Sequence, residues 1–364
     1  MRLILVAGTT RTGEIEGITA AGASRDLLVH TPSADAEILA YGDTVRAPVT
    51  PVSPSGCPTP AAVTRAVRER LGFDLAVVDG GLARPTGAPT VSVGAHPGDD
   101  IREPDPVRTA PGAFAAARRY GRALPDDRIV VGETIPGGTT TAMATLRALG
   151  EDALSATSSS LPENPIDLKR EIVAAAFESS DLDPGGAAHT PELAVRFVGD
   201  PVLAAAAGVV AGALESGTEV VLGGGTQLVA VAALVRHAGV PDPATLATTP
   251  YLAADVPALD AAADELDLDL SVSDPGFDAD AGPLSAYADG VAKEGAAMGG
   301  ALHLAAEAGR LGEVRAATRT VLDRLTGDGG QGGGGDGGRR RGAADGTDPG
   351  IDADDARRET DDGP

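Results

Sequence analysis

Arg128-Ile129-Val130-Val131-Gly132-Glu133-Thr134-Ile135-Pro136-Gly137-Gly138-Thr139-Thr140-Thr141 is the stretch whose reading decides the fold. Arg128 to Val131 is a short apolar run of the kind that forms a buried strand. Gly132 to Thr141 breaks it with glycines and hydroxyls, and Thr140 to Leu149 then reads as a helix stopped by Gly150. Gly137 and Gly138 allow backbone N–H groups to approach an anion, Thr139 and Thr140 add hydroxyl donors, and the helix start adds positive partial charge. The turn therefore suits a phosphate. No Lys follows the glycines, so it is not a Walker A loop, nor is it a dinucleotide fingerprint. A tight strand-to-helix turn with a Thr cap and no ligand would read the same way.

The same rhythm extends along the chain. Strands are expected at Leu3 to Ala7, Leu27 to His30, Leu75 to Asp79, Thr90 to Val93, Glu219 to Leu222 and Leu268 to Val272. Helices are expected at Pro60 to Leu71, Ala113 to Arg122, Ile166 to Phe177, Val202 to Leu214 and Leu228 to His237. This alternation predicts an α/β fold: a largely parallel Rossmann-like sheet with helices on both faces. Ligands of such sheets bind beyond the carboxyl ends of the strands, here the loops after Val131 and Leu222. Aromatics are only 2% and Trp is absent, so the core must come from Ala, Val, Leu and Ile in close helix packing.

Residues 1–326 read as one domain. From Gly327 the composition shifts to Gly, Asp and Arg with few apolar residues, and 327–364 is expected to be a disordered, acidic, Gly-rich tail. Its Arg339-Arg340-Arg341 sits among Asp residues and reads as a solvated linker rather than a nucleic-acid contact.

The net charge of -24 argues against nucleic acid or an anionic membrane as partner. Lys169 and Lys293 are the two lysines, and Arg supplies the remaining cations. That balance looks like the cytoplasmic proteome of a salt-loving archaeon, where carboxylates keep proteins hydrated. The lone Cys57 excludes an internal disulfide and suits a reduced cytoplasm. The N-terminal apolar run is too short for a signal segment or a membrane span. The five His show no metal spacing, and His237 and His303 read as packing or helix-surface residues.

Two further stretches complete a candidate site. In Glu219-Val220-Val221-Leu222-Gly223-Gly224-Gly225-Thr226-Gln227, a strand again runs into glycines that let a flat ligand lie against backbone, unless the turn is merely tight. In Ala292-Lys293-Glu294-Gly295-Ala296-Ala297-Met298, a Glu stands at the head of an Ala/Gly-rich helix. There it is either an ordinary first-turn Glu or, partly desolvated, a general base. Both lysines fall near these stretches.

At these three stretches the sequence resembles the nicotinate-nucleotide–dimethylbenzimidazole phosphoribosyltransferase family of cobalamin assembly, in particular its archaeal branch. The bacterial pattern Gly-Glu-Met-Gly-Ile-Gly-Asn-Thr-Thr matches Gly132 to Thr140, with Gly138 in place of Asn. The bacterial Gly-Glu-Gly-Thr-Gly-Ala resembles Lys293 to Ala297, with Glu294 in the position of the catalytic Glu. Gly223-Gly224 stand where bacterial members carry Asp-Gly. The resemblance covers most of Phe73 to Leu311 and not the bacterial helical subdomain.

The resemblance implies transfer of ribose 5-phosphate from nicotinate mononucleotide to a benzimidazole-type base, without cofactor or metal, since no pyrophosphate leaves. Glu294 would be the general base. Gly137, Gly138, Thr139 and Thr140 would hold the phosphate, and Glu133 would stabilise the ribose cation or hold its hydroxyls. Gly223, Gly224, Gly225, Thr226 and Gln227 would line the base or ribose. The family's phosphate-binding Lys falls by strict spacing on Glu171, so Lys169 or Arg170 would substitute for it. The resemblance also suggests a homodimer. Two alternatives stay open: a base-exchange transferase with another acceptor, or a nucleotide-binding protein without turnover. They differ in whether Glu294 faces the cleft of the Gly137 to Thr140 turn.

Overall fold

The computed structural model of the protein describes residues 1–21, 24–151, 157–280 and 282–327. Its strands are β1 (Arg2–Ala7), β2 (Asp74–Asp79), β3 (Thr90–Ser92), β4 (Arg128–Thr134), β5 (Glu219–Gly223), β6 (Ala244–Thr248) and β7 (Leu268–Val272). They form one sheet in the order β3-β2-β1-β4-β5-β6-β7, with every neighbouring pair parallel. The chain starts in the middle at β1, builds outward to β3, then returns to β4 and builds the other way. The strand order thus reverses between β1 and β4, which is where such sheets open a crevice at their carboxyl ends. The register from Arg2↔Ile129 to Ala7↔Thr134 makes these two strands end side by side.

The helices are α1 (Arg25–Leu28), α2 (Thr31–Tyr41), α3 (Ala61–Leu71), α4 (Ala110–Arg122), α5 (Gly138–Leu149), α6 (Ile166–Ser179), α7 (Pro191–Val198), α8 (Pro201–Glu215), α9 (Thr226–His237), α10 (Pro250–Asp255), α11 (Leu259–Glu265), α12 (Ser285–Ala288), α13 (Met298–Glu307) and α14 (Val314–Leu325). Side chains alternate across the strands. Ile4, Val6, Ile129 and Val131 pack with α4 to α9 on one face, while Leu3, Leu5 and Val130 pack with α2, α3 and α13 on the other. The expected α/β architecture, with both faces of a parallel sheet covered, is what the chain adopts.

Small residues do the close packing inside this chain. A β-carbon on Gly208 of α8 would lie 2.5 Å from the Phe114 carbonyl of α4, and one on Gly212 would lie 2.9 Å from Arg122 N. These two glycines let the α4 and α8 backbones nearly touch, and the buried length of α8 from Pro201 to Leu214 follows from that.

One expected strand is wrong. Leu27 to His30 forms α1 and the lead into α2. Of those four residues only Leu28 is buried, whereas a strand inside this sheet would be buried on both faces. Pro32, at the start of α2, also favours a helix entry. The sequence reading also lacked β6, whose Ala-Thr-Leu-Ala-Thr composition carries a weak apolar signal, and it lacked α2, which is buried on nearly every side from Thr31 to Leu39. The remaining expected elements match to within a few residues, with β4 running on to Thr134, while α7, α10, α11, α12 and α14 have no counterpart among them. Most of the expected tail, 328–364, lies outside the described residues. No helix among the described residues is long and apolar enough to cross a membrane.

Candidate functional site

A cavity of about 920 Å³, counted with its open mouth, lies beyond the ends of β4 and β5. Its floor is the turn Glu133 to Thr139, which the fold places at the switch point because β4 ends there and α5 begins at Gly138. Gly137 caps the helix at φ +83°, a left-handed conformation, and a β-carbon on it would come within 2.7 Å of Gly13. Only glycine satisfies both demands. Thr139 lines the cavity. Thr140 does not: it is fully buried, and its hydroxyl has no partner among the described residues. Thr141 turns the other way and donates to Asp200, the carboxylate that caps α8.

The turn after β5 divides similarly. Gly225, Thr226 and Gln227 line the cavity. Gly223 and Gly224 do not. A β-carbon on Gly223 would lie 2.8 Å from Gly300 of α13, and one on Gly224 would lie 2.5 Å from the Leu228 side chain. Both serve packing.

Glu294 lines the same cavity as Gly137 to Thr139. It stands in the loop before α13 rather than in its first turn, with Ala296 at φ 49° and Ala297 at φ 64° setting the entry. The carboxylate nonetheless caps that helix. Oε2 accepts from Gly295 N at 2.7 Å, and Oε1 accepts from Gly299 N. Burial pushes its pKa up to about 8 against those two hydrogen bonds. The loop is tied to β4 by Ala296 N, which donates to the Glu133 carbonyl at 2.8 Å. Glu133 is itself buried and lines the cavity. Burial raises its pKa well above the carboxylate range, helped by the charges of Asp200, Glu294 and Asp35 and opposed by a hydrogen bond from Ile135 N.

Lys169 stands away from the cavity lining. It is fully buried and donates to the Ser158 carbonyl, with Thr157 Oγ1 at 3.5 Å. Lys293 does line the cavity.

The sequence reading missed Asp35 on α2, which lines the cavity and accepts from Thr59 Oγ1 at 2.6 Å and Thr134 Oγ1 at 2.7 Å. Burial lifts its pKa to about 6. It also missed Ser158 to Ser160, which form one wall. α2 buries two acids, Asp35 and Glu37, and nothing in the local sequence singles out the one that lines the cavity. His237 and His303 act as ties, His237 bonding Ala188 O and Glu151, and His303 bonding Ser271.

No family model matches the chain. A UPF0284 protein of Halobacterium salinarum is 57% identical over 325 residues, which is 88% of this chain and 97% of that protein. A UPF0284 protein of Archaeoglobus fulgidus is 40% identical over 307 residues, 82% of this chain and 85% of its own length. Among solved structures, nicotinate-nucleotide–dimethylbenzimidazole phosphoribosyltransferase from Thermus thermophilus aligns with a TM-score of 0.55 and 18% identity, covering 90% of this chain and 84% of that one. CobT from the same organism aligns with the same score and identity over 85% of its chain. The structures share the fold. The sequence relatives establish descent: the chain belongs to the UPF0284 family.

Proposed function

We propose that this protein transfers ribose 5-phosphate from nicotinate mononucleotide to a benzimidazole-type base. The observation that carries the reading is that the Glu294 carboxylate and the Gly137 to Thr139 turn line one cavity. That is the arrangement a catalyst needs and a mere nucleotide binder does not. The fold shared with the Thermus phosphoribosyltransferase supports it.

The chemistry follows from the charges. Glu133, Glu294 and Asp35 line the cavity, and all have raised pKa values. Burial is the first cause at each, with repulsion from Asp200, Glu294 and Asp35 added at Glu133, and a pyridinium nucleotide would bring positive charge beside them. The phosphate would rest on the N-terminus of α5 beside Thr139, where the helix start adds positive partial charge, although Gly138 N and Thr140 N already donate to the Ile135 and Gly137 carbonyls. One benzimidazole nitrogen attacks the ribose anomeric carbon. The glycosidic bond to nicotinate breaks, and its electron pair neutralises the pyridinium nitrogen. Glu294 takes the proton from the other benzimidazole nitrogen, so charge and protons balance. Glu133, which lines the same cavity, would stabilise cationic character on the ribose.

The test is incubation of the protein with nicotinate mononucleotide and dimethylbenzimidazole in high salt, following both products. Stoichiometric α-ribazole 5-phosphate and nicotinate are expected. Absence of release with dimethylbenzimidazole, adenine and a phenol alike would remove the transferase reading.

A further inference from the structure

The lysines of this Arg-dominated chain converge on one short strap of backbone. Thr157 to Leu161 has no regular secondary structure, and Ser158, Ser159 and Ser160 form a wall of the cavity. Lys169 Nζ donates to the Ser158 carbonyl. Lys293 Nζ donates to the Ser159 carbonyl at 2.7 Å and to the Leu161 carbonyl at 2.8 Å. Asn164 Nδ2 holds the Thr157 carbonyl at 2.8 Å, and Ala292 N holds that of Ser160 at 3.0 Å. Every carbonyl from 157 to 161 is therefore taken by a donor outside the strap.

Two ammonium groups at 0% and 4% exposure are a costly way to tie down a loop. Among the described residues a single carboxylate accompanies them: Asp255 Oδ2 lies 3.5 Å from Lys293 Nζ and accepts from Ser158 Oγ at 2.9 Å. The arrangement has a geometric consequence. In a trans peptide the N–H points opposite to the C=O. With the Ser158 and Ser159 carbonyls drawn onto the lysines, the N–H groups of Ser159 and Ser160 turn the other way. Those of Ser158 and Leu161 are occupied, by Thr226 Oγ1 at 3.3 Å and Ser159 Oγ at 3.2 Å. Successive N–H groups presented without carbonyls between them form an anion-binding concavity.

We propose that Lys169 and Lys293 are positioning residues that hold the strap by its carbonyls, so that Ser159 and Ser160 present their N–H groups to an oxyanion of the donor nucleotide. Their ammonium groups are engaged by the strap carbonyls, Lys169 off the cavity and Lys293 at its lining, and they act on the oxyanion through the strap. The assignment rests on the proposed donor, and the oxyanion is either its phosphate or its nicotinate carboxylate. Lys293 precedes Glu294 and ties the strap to the loop of the proposed base, so strap and base move as one unit.

The experiment is calorimetric titration of the wild-type protein, Lys169→Met and Lys293→Met with nicotinate mononucleotide, inorganic phosphate and nicotinate separately. The mononucleotide should bind each variant about tenfold or more weakly, and the single anion whose affinity falls in parallel identifies the group on the strap. In turnover, KM for the donor should rise while kcat changes less, a split that general loss of folding does not produce. Hydrogen exchange on the wild type covers the case of variants that fail to fold: the segment 157–161 should gain protection when the mononucleotide binds. Unchanged affinity in both folded variants, no protection at the strap, or a wild type that binds none of the three compounds overturns the proposal. Strap-dependent binding without nicotinate release would instead remove the transfer reading and leave this assignment standing.

Discussion

The side-chain amide of Gln227 lies against the backbone of Gly138, filling the space a β-carbon there would need. Two turns, one after β4 and one after β5, thus interlock at the cavity floor. The carboxamide that α9 supplies through Gln227 leaves no room for a side chain at Gly138. The φ of Gly138 is not positive, so its need for glycine is one of room. Gly138→Ala should therefore be overpacked against Gln227 and against Ile135 Cγ2, 2.7 Å from the added carbon. The cost should be about 1–3 kcal/mol. Adding Gln227→Ala should recover most of it. Thermal melts of the two singles and the double check this, and strict additivity would show that the two residues do not compete for space.

The pH dependence of turnover should report Glu294. Its carboxyl titrates at about 8, and a general base works only when ionised. From pH 6, kcat/KM for the acceptor should climb close to tenfold per pH unit and level off above about 8. A profile flat from pH 6 to 9, recorded where the protein is folded throughout, would contradict a base of that pKa.

The same burial makes Glu294 a cost to the fold. Its pKa is about 8 in the fold against an ordinary 4.5, so the folded state binds the proton more tightly. Stability from this group is fully present below pH 4.5 and is lost as pH rises to about 8. Glu294→Gln does not titrate. Its melting temperature relative to wild type should therefore increase steadily from pH 5 to 8 and hold level above. A difference independent of pH would mean the carboxyl is not buried as described.

Salt should stabilise the whole chain. With a net charge of -24, the surface repels itself, and that repulsion is screened as the Debye length falls from about 10 Å at 0.1 M to about 3 Å at 1 M salt. The melting temperature should rise through this range of KCl. A constant melting temperature would leave the acidic surface without energetic consequence.

The β–α units were legible in sequence where a buried run met glycines. Ile129 to Val131 and Val220 to Leu222 are apolar on both sides because both faces of the sheet are covered, and Gly137 must be glycine for the turn that follows. Glu294 was legible through resemblance. Asp35 was not, since its partners Thr59 and Thr134 lie 24 and 99 residues away and only the sheet brings them together. The strap at Ser158 was hidden for the same reason: its structure comes from Lys169, Lys293 and Asn164, and no local pattern announces it. Gly223 and Gly224 misled because glycine for packing and glycine for a ligand look alike in sequence.

The most direct measurement is the rate of nicotinate release from nicotinate mononucleotide, with dimethylbenzimidazole present, for wild type and Glu294→Gln. Binding of the mononucleotide is measured alongside. The account predicts a rate lower by about two to four orders of magnitude in the variant, with mononucleotide affinity little changed, as for loss of a general base. Equal rates in the two proteins would contradict it.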